Sequence, residues 1–169
     1  MSNFCLQCGT SLVWRSIDGR QREQCPNCGW VIYLQLKVGA GVLIERDGKL
    51  LLVQRQYDPW QGSWYLPSGY VEADENPAHA AEREAFEETG LKVQVSGLVD
   101  AYYFDDDPRG NGLLLLYQCQ EVGGAVENGE EARDIRFFDP AAIPSQLSGG
   151  GHAVAIRAWQ LRNLSADER

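Results

Sequence analysis

The sequence predicts an α/β domain, with a mixed β-sheet covered by helices, preceded by a small metal-stabilised segment. Two observations lead to this prediction. Apolar, β-branched runs lie on both sides of one well-bounded helical segment, Pro77–Thr89. In addition, the N-terminal segment carries two Cys-x-x-Cys pairs and few apolar anchors. We therefore expect one domain over residues 1–35 and a second over residues 36–169.

The composition and charge of the chain indicate a globular protein and disfavour several kinds of partner. Of the 169 residues, 44% are apolar and 23% are charged, which is typical of a globular protein. The formal net charge of −9 disfavours nucleic acid and membranes as partners, because binding either one depends on Lys and Arg that neutralise phosphates. A phosphate-bearing substrate would need a divalent cation between it and the protein. The first residues lack the basic and apolar regions of a signal peptide, and no apolar run reaches the roughly 20 residues of a membrane helix, so we expect a cytoplasmic protein.

The cysteine pattern predicts a zinc ribbon over residues 1–35. The expected ligands of a structural Zn²⁺ are Cys5, Cys8, Cys25 and Cys28. Gly9 and Gly29 directly follow the second cysteine of each pair, where the turn needs a positive φ or a close approach to sulfur. A segment this short cannot bury enough apolar surface to fold alone, so the metal would supply the missing stability. The alternative is redox-active pairs or free thiols, and Cys119 is interpreted as a small core residue of a strand.

The elements of the second domain follow in chain order. Strands are predicted at Leu36–Glu45 and Lys49–Val53, because an Asp47–Gly48 turn joins them. After the turn-rich segment Tyr57–Gly69, the helix begins behind Asn76 as N-cap and ends before Gly90. The later predictions are strands at Val93–Val99, Ala101–Phe104, Leu113–Gln120 and Ile135–Phe138, a short helix opened by Asp139–Pro140, and a terminal helix at His152–Asn163.

One side of the predicted helix carries three glutamates and indicates a metal site. Glu84, Glu87 and Glu88 stand at i, i+3 and i+4, so their carboxylates converge on one face. Like charges at these spacings destabilise a helix by roughly 0.2–0.5 kcal/mol per pair. The alternative is a solvated acidic face, but Ala80 and Ala81 on the same side allow other backbone to approach closely. Mg²⁺ takes oxygen ligands in octahedral geometry and fits such a set, with Mn²⁺ as the alternative.

A longer pattern around this helix resembles a known family. Every fixed position of the Nudix box is filled by the pattern Gly69-x₅-Glu75-x₇-Arg83-Glu84-Ala85-x-Glu87-Glu88-x-Gly90-Leu91. The segment Gly62–Pro67 that leads into it is also similar to that family. The resemblance covers about Lys37 to Trp159 and implies a Nudix-type α/β/α sandwich, with the box as a loop–helix–loop at the edge of the sheet.

The resemblance also implies roles for individual residues. The metal ligands would be the carboxylates of Glu84, Glu87 and Glu88, the backbone carbonyl of Ser68, and a glutamate from a later loop. Glu131 is the candidate for the last position, with Glu127 and Glu130 as neighbouring alternatives. Many relatives have glycine where this chain has Ser68, so the close backbone approach is less assured there. Arg83 would orient the carboxylates, and Glu75 would brace the loop.

The predicted reaction is Mg²⁺-dependent, in-line attack of water on one phosphorus of a diphosphate in a nucleoside diphosphate derivative. Either Glu87 or Glu131 would be the base. A zinc ribbon ahead of a Nudix domain resembles NADH diphosphatases, but Lys92–Gly112 lacks their Ser-Gln-Pro-Trp-Pro-Phe-Pro segment. Substrates of the ADP-ribose or FAD type are therefore favoured, and Pro108 lies near a marker proline of the ADP-ribose type.

Several readings stay open. The chain can instead be a non-catalytic nucleotide sensor or a zinc-ribbon adaptor, and dimeric relatives suggest a homodimer. Possible ring-stacking residues, which can equally be core or loop anchors, are Trp60, Tyr102, Tyr103 and Phe104. Arg55 and Arg109 are either phosphate contacts or surface charges, and His79 and His152 are interpreted as solvent-facing or structural. A minor basic patch of the ribbon comprises Arg15, Arg20 and Arg22.

Overall fold

The computed structural model describes residues 3–165, which form two compact units that divide between Gln35 and Leu36. The outer ends of the two predicted domains, residues 1–2 and 166–169, lie outside the described residues. In the part of the chain that is described, no helix has both the length and the apolar character needed to cross a membrane.

The N-terminal unit contains one hairpin and two cysteine turns. Strand β1 (Val13–Ile17) pairs antiparallel with β2 (Arg20–Gln24). In each cysteine turn a glycine N–H donates back to the first cysteine carbonyl, at 2.8 Å for Gly9 and 3.0 Å for Gly29. These glycines have φ of 72° and 78°, as predicted for their positions. The buried core of this unit consists of Cys5, Leu12 and Cys25, with Trp30 and Ile32 packed against it.

The described residues of the second unit, up to residue 165, form eight strands and two α-helices. The strands are β3 (Lys37–Leu43), β4 (Glu45–Arg46), β5 (Lys49–Arg55), β6 (Trp64–Tyr65), β7 (Ser68–Tyr70), β8 (Leu91–Phe104), β9 (Gly112–Gly124) and β10 (Ala132–Phe138). One sheet has the order β10-β5-β4, with β6 paired to β5, and the other has the order β7-β3-β9-β8. The pairing of β3 with β9 is parallel and the other pairings are antiparallel, which confirms a mixed architecture.

Two cores lie on opposite faces of the strands, and each helix covers one of them. Helix α1 (Pro77–Thr89) packs into the core that includes Val42 of β3. Helix α2 (His152–Leu164) packs into the core that includes the next residue, Leu43. Successive side chains of a strand point to opposite faces, so this alternation places the strands between the two helices. The predicted α/β/α sandwich is confirmed.

Local sequence explains the bounds of helix α1. The Asn76 side chain accepts a hydrogen bond of 2.9 Å from the N–H of Ala78, and Pro77 occupies the first helical position. Gly90 ends the helix with φ of 72°, and its N–H donates to the carbonyl of Phe86 at 2.8 Å. These are the caps that the sequence predicts.

The main correction to the predicted elements concerns β8. The sequence predicted two strands here, Val93–Val99 and Ala101–Phe104, whereas the structure has one strand of 14 residues. Its register against β9 shifts between Val95 and Gly97 and again between Leu98 and Asp100. Each shift interrupts the apolar alternation without ending the strand, because a bulge leaves a residue unpaired but keeps the ladder.

Candidate active site

The segment from β7 to α1 places backbone and carboxylate in close contact. Strand β7 pairs with β3, with Ser68 opposite Gly41 and Gly69 opposite Ala40. A Cβ on Gly69 would lie 2.1 Å from the carboxylate carbon of Glu84, and one on Gly41 would lie 2.6 Å from the Cβ of Ser68. A side chain at position 69 would displace the Glu84 carboxylate from the backbone beside Ser68, and glycine at position 41 allows Ser68 to pack closely against β3.

Arg83 holds three carboxylates together. Its guanidinium donates to Glu75 at 2.6 Å, to Glu84 at 2.7 Å and to Glu87 at 3.1 Å. It also donates to the carbonyl of Tyr70 at 3.3 Å. Hydrogen bonds from Arg83 hold the pKa of the Glu75 carboxyl below its usual value. These contacts tie both ends of the loop between β7 and α1 to the middle of the helix.

Glu88 is buried, with only 6% of its surface exposed. One carboxylate oxygen accepts from the hydroxyl of Tyr65 at 2.5 Å, and the other accepts from the N–H of Ser68 at 2.9 Å. Burial raises the pKa of Glu88 to about 8, although the hydrogen bonds from Tyr65 and Ser68 act to lower it. Glu88 thus links the helix to β6 and β7.

A cavity of about 290 Å³ lies beside these elements. Its lining residues are Gly39, Arg55, Trp60, Ser68, Gly69, Tyr70, Glu72, Glu84, Phe104, Asp107, Arg109, Leu114, Glu131, Gly150 and His152. Three of the predicted site residues, Ser68, Glu84 and Glu131, meet at this cavity. Glu87 and Glu88 do not line it, since Glu87 points outward with a side chain 55% exposed and Glu88 is buried behind Ser68.

The segment 125–131 carries Glu131 from the end of α1 to the cavity. The N–H of Glu127 donates to the carbonyl of Thr89 at 2.9 Å, and that of Gly129 donates to the carbonyl of Glu88 at 3.1 Å. These bonds satisfy carbonyls left unpaired at the helix C-terminus. The carbonyl of Glu131 then accepts from the N–H of Gln56 at 2.9 Å. Of the three glutamates proposed for this position, Glu131 lines the cavity, whereas Glu127 and Glu130 do not.

Cations and rings complete the lining. Arg109 is held by the carboxylate of Asp107, with nitrogen–oxygen distances between 2.8 and 3.2 Å. Trp60 and Phe104 line the cavity, but Tyr102 and Tyr103 do not, and Tyr103 is 56% exposed. With Tyr70, the cavity therefore offers three aromatic side chains, and it also offers two arginines, Arg55 and Arg109.

His152 lies in the cavity wall and His79 on the surface. His152 is 5% exposed, its Nδ1 accepts from the N–H of Leu66 at 3.4 Å, and its Nε2 lies 3.3 Å from the hydroxyl of Ser68. Burial lowers the pKa of His152 to about 3, which keeps the ring neutral. His79 is exposed, so each histidine follows one of the two predicted interpretations.

Sequence reasoning missed the residues that support the site. Tyr65 anchors Glu88, Asp107 pairs with Arg109, and Tyr70 and Glu72 line the cavity. Tyr65 belongs to a short apolar run that signals burial, but its partner lies 23 residues away along the chain. The Asp107–Arg109 pair is local, and its i, i+2 spacing in a turn was an available sign of a structural ion pair.

Two groups of residues offer metal ligands. The four cysteine sulfurs all lie within 4.8 Å of one another, and the closest pairs are 3.5 to 3.7 Å apart. This spacing is close to the roughly 3.8 Å between sulfurs that tetrahedral Zn–S bonds of about 2.3 Å require. Hydrogen bonding to Thr10 lowers the pKa of the Cys8 thiol to about 6, which favours the thiolate that binds metal. The four-cysteine cluster suggests a zinc site.

The carboxylates form a looser group. Within residues 3–165, the cysteines alone bring three or more such ligand atoms this close together. Glu84 and Glu87 accept from Arg83, while Glu88 accepts from Tyr65 and Ser68. Their oxygens, with the Ser68 carbonyl and Glu131, are donors of the kind that hard divalent cations prefer.

Comparison with known proteins assigns the family. The model of the NUDIX domain matches residues 35–159, and that of the Nudix N-terminal zinc ribbon matches residues 3–34. An ADP-ribose pyrophosphatase of Methanocaldococcus jannaschii is 37% identical over 114 residues, which cover 67% of this chain and 68% of the relative. An NAD-capped RNA hydrolase NudC of Chromobacterium violaceum is 32% identical over 143 residues, which cover 83% of this chain but 51% of that protein.

The solved structure of a NUDIX hydrolase from Nitrosomonas europaea superimposes with a TM-score of 0.84 at 27% identity and covers 96% of this chain and 92% of its own. The family match, the fold and the filled Nudix box all indicate the same family. The chain therefore belongs to the NUDIX domain family and is a Nudix hydrolase that carries a zinc ribbon ahead of its hydrolase domain.

Proposed function

We propose that this chain hydrolyses the diphosphate linkage of a nucleoside diphosphate derivative of the ADP-ribose or FAD type, with Mg²⁺ or Mn²⁺. The observation that carries the proposal is the meeting of Ser68, Glu84 and Glu131 at one cavity. These residues come from a strand, a helix and a separate loop, and two arginines line the same space. An acidic chain that also binds an anionic diphosphate there needs a cation between carboxylates and phosphates.

The oxygen donors fit such a cation. The Gly69 position leaves room for Glu84 beside the Ser68 backbone, and any side chain there would fill that space. We assign metal binding at the cavity to Glu84, Glu131 and the Ser68 carbonyl, with Glu87 and Glu88 of the Nudix box joining them when the cation binds, and orientation of the carboxylates to Arg83. When bound, Mg²⁺ would neutralise phosphate oxygens and lower the pKa of the attacking water.

In the hydrolysis step itself, a side chain of the protein accepts the proton of the attacking water. Water forms a new bond to one phosphorus, its proton passes to a carboxylate, and the bridging oxygen leaves with the electron pair on the other phosphate. We assign the proton acceptor to Glu131 rather than Glu87, because Glu131 lines the cavity whereas Glu87 is turned toward Arg83. A general base of this kind contributes about 10²–10⁴-fold to rate.

Two observations support the proposed substrate type: the residues that line the cavity and the name of one relative. Trp60 and Phe104 present ring surface that suits a base or flavin, and the cavity is large enough for a diphosphate and part of one nucleoside. The Methanocaldococcus jannaschii relative is named an ADP-ribose pyrophosphatase. We further propose that residues 1–35 form a ribbon around a structural Zn²⁺ and that residues 36–169 form the hydrolase domain.

The test is product analysis with matched variants. Purified protein is incubated with Mg²⁺ and, separately, ADP-ribose, FAD, NADH, coenzyme A, dinucleoside polyphosphates and nucleoside triphosphates. We expect release of a mononucleotide from ADP-ribose or FAD, abolished by chelation and reduced about 10³-fold or more in Glu84→Gln, since the metal supplies several kcal/mol of transition-state stabilisation. Glu127→Gln, a neighbouring glutamate outside the cavity, serves as the control and should retain full turnover. A protein that binds ADP-ribose but returns it intact would instead be a nucleotide sensor.

A further inference from the structure

The two arginines that line the cavity are engaged differently. Arg109 forms an ion pair with the carboxylate of Asp107, which it contacts through Nε and Nη2. Among the described residues, Arg55 makes no ion pair, and its Nε is buried without a hydrogen-bond partner. Since a buried donor without a partner is destabilising, Arg55 is a cation whose natural partner is not supplied by this part of the chain.

The position of Arg55 is fixed before any ligand binds. Its Cζ lies 4.3 Å from the centroid of the Tyr65 ring and 6.0 Å from that of Trp60. Its backbone N–H donates to the carbonyl of Ser63 at 2.9 Å, and its carbonyl accepts from the N–H of Gly62 at 2.9 Å. The two rings beside the guanidinium restrict its position, so little conformational freedom is lost when it binds an anion.

Arg55 is also fixed relative to the candidate base. Strand β5 pairs with β10 so that Arg55 lies opposite Ala132, the residue after Glu131. The next residue along β5, Gln56, donates its N–H to the carbonyl of Glu131. Both side chains line the same cavity. A guanidinium and a carboxylate set side by side, but not paired with each other, are suited to hold an anion and a water molecule respectively.

We propose that Arg55 is a catalytic residue whose guanidinium binds the substrate diphosphate and stabilises the charge on the departing phosphate; this inference rests on the proposed function. As the bridging P–O bond breaks, its electron pair stays on the leaving oxygen, and the negative charge of that phosphate increases. A planar guanidinium already in place stabilises that charge without reorganisation. Lysine offers a single hydrated ammonium without the stacking plane, so it should not replace Arg55.

The experiment compares Arg55→Met, Arg55→Lys and the control Arg136→Met. Arg136 lies on β10, its Cζ is 5.9 Å from the Trp64 ring, and it pairs with Asp134 outside the cavity. With ADP-ribose and Mg²⁺, we expect Arg55→Met to lower kcat/KM about 100-fold or more, mainly through kcat. Arg55→Lys should recover no more than about a tenth of the wild-type value, and Arg136→Met should stay within about twofold of it. Melting curves check that each variant folds.

A second measurement uses the non-hydrolysable probe α,β-methylene-ADP with Mg²⁺, titrated by calorimetry. Weakening of its binding by about tenfold or more in Arg55→Met, with no change in Arg136→Met, supports a direct diphosphate contact. If Arg55→Met does not fold, Arg55→Lys carries both measurements, and its full kcat and full probe affinity would overturn the proposal. A folded Arg55→Met with kcat/KM within about threefold of wild type would overturn it too.

The two proposals fail in different ways. If wild-type protein hydrolyses ADP-ribose and tolerates Arg55→Met, the role of Arg55 is refuted and the hydrolase function stands. If wild-type protein binds the probe through Arg55 but cleaves no substrate in the panel, the hydrolase function is refuted and the diphosphate contact stands.

Discussion

The four cysteine sulfurs and the glutamate carboxylates of α1 are both candidate metal ligands, but their neighbours in the structure differ. The sulfurs face one another, with the nearest pairs 3.5 to 3.7 Å apart. The carboxylates face donors from the protein instead: Arg83 for Glu84 and Glu87, and Tyr65 with the Ser68 N–H for Glu88. One group is arranged as a ligand set, and the other as a hydrogen-bonded network.

The difference follows from the reach of the side chains. A cysteine sulfur is bonded directly to Cβ, so the turns that end at Gly9 and Gly29 fix its position. A glutamate carboxylate lies beyond three rotatable bonds and turns toward the strongest nearby charge, which is Arg83 for two of them. We therefore expect the cysteine site to form as part of the fold, and the carboxylate site to assemble only when cation and substrate bind. This contrast generates four predictions, from the largest expected effect to the smallest.

The largest expected effect is unfolding of the N-terminal unit when zinc is removed. A structural Zn²⁺ contributes about 10–16 kcal/mol in zinc-finger peptides, more than a segment of this size can supply by burial. We expect a strong zinc chelator to collapse the dispersed amide resonances of residues 3–34, as zinc content by mass spectrometry falls to zero. Removal of Mg²⁺ should leave those resonances unchanged. In the control, Cys119→Ala should keep its zinc, since Cys119 is buried in the hydrolase core. Dispersed resonances that persist in zinc-free protein would refute the role of the metal.

Substitution of the candidate base, Glu131, tests the role of the carboxylate site in catalysis. We expect Glu131→Gln to lower kcat by about 10²–10⁴-fold without changing the melting temperature by more than a degree or two, because the amide keeps the shape but accepts no proton. Glu130→Gln is the matched control, since Glu130 is adjacent and lies outside the cavity lining. Steady-state kinetics on both variants makes the comparison. Equal losses in the two variants would count against Glu131 as the base.

The segment that carries Glu131 can be moved without changing its carboxylate. A Cβ on Gly129 would lie 2.2 Å from the carbonyl of Glu87, so Gly129→Ala must push the segment away from the end of α1. We expect a loss of about 1–3 kcal/mol in the free energy of unfolding and a kcat reduced by roughly tenfold. At Gly123 a Cβ would meet nothing within 4 Å, so Gly123→Ala is the control. In a Glu131→Gln background, Gly129→Ala should cost no further activity, and an additive loss would show that the segment acts by another route.

The stability of helix α1 should depend on its N-cap, Asn76, and not on bound metal. We expect Asn76→Ala to lower the free energy of unfolding by about 0.5–2 kcal/mol, because the N–H of Ala78 loses its acceptor. Asn76→Asp keeps an oxygen at the cap and should remain within a few tenths of a kcal/mol of wild type. Urea denaturation with and without Mg²⁺ measures both. Identical stabilities for the two variants would show that the cap is not what stabilises this end.

The parts of the fold that the sequence predicts well are those decided locally. Helix α1 has its cap at Asn76 and its end at Gly90 because each cap is formed by residues within one turn. The prediction divided strand β8 into two at Asp100, whereas pairing with β9 carries the strand through that residue. The bounds of such a strand are set by pairing with a strand far away in the sequence, and a single sequence does not show which strands pair.

The candidate site divides in the same way. The box glutamates follow from spacing on one helix, and Glu131 was chosen from three neighbours by its distance from a strand. The contacts of Tyr65 with Glu88 and of His152 with Ser68 span 23 and 84 residues, and they arise only when the two cores close. The unpaired state of Arg55 is likewise invisible in sequence, since Arg55 and Arg109 look alike until Asp107 is placed beside one of them.

The most direct measurement of the central claim follows Mn²⁺ binding by electron paramagnetic resonance and ADP-ribose turnover in the same zinc-loaded samples. Wild-type protein is compared with a Glu84→Gln, Glu131→Gln double variant. We predict that the double variant loses Mn²⁺ binding and turnover together, while the zinc content of the ribbon stays at the wild-type level. Full Mn²⁺-dependent turnover in the folded double variant would contradict the assignment of the reaction to this cavity.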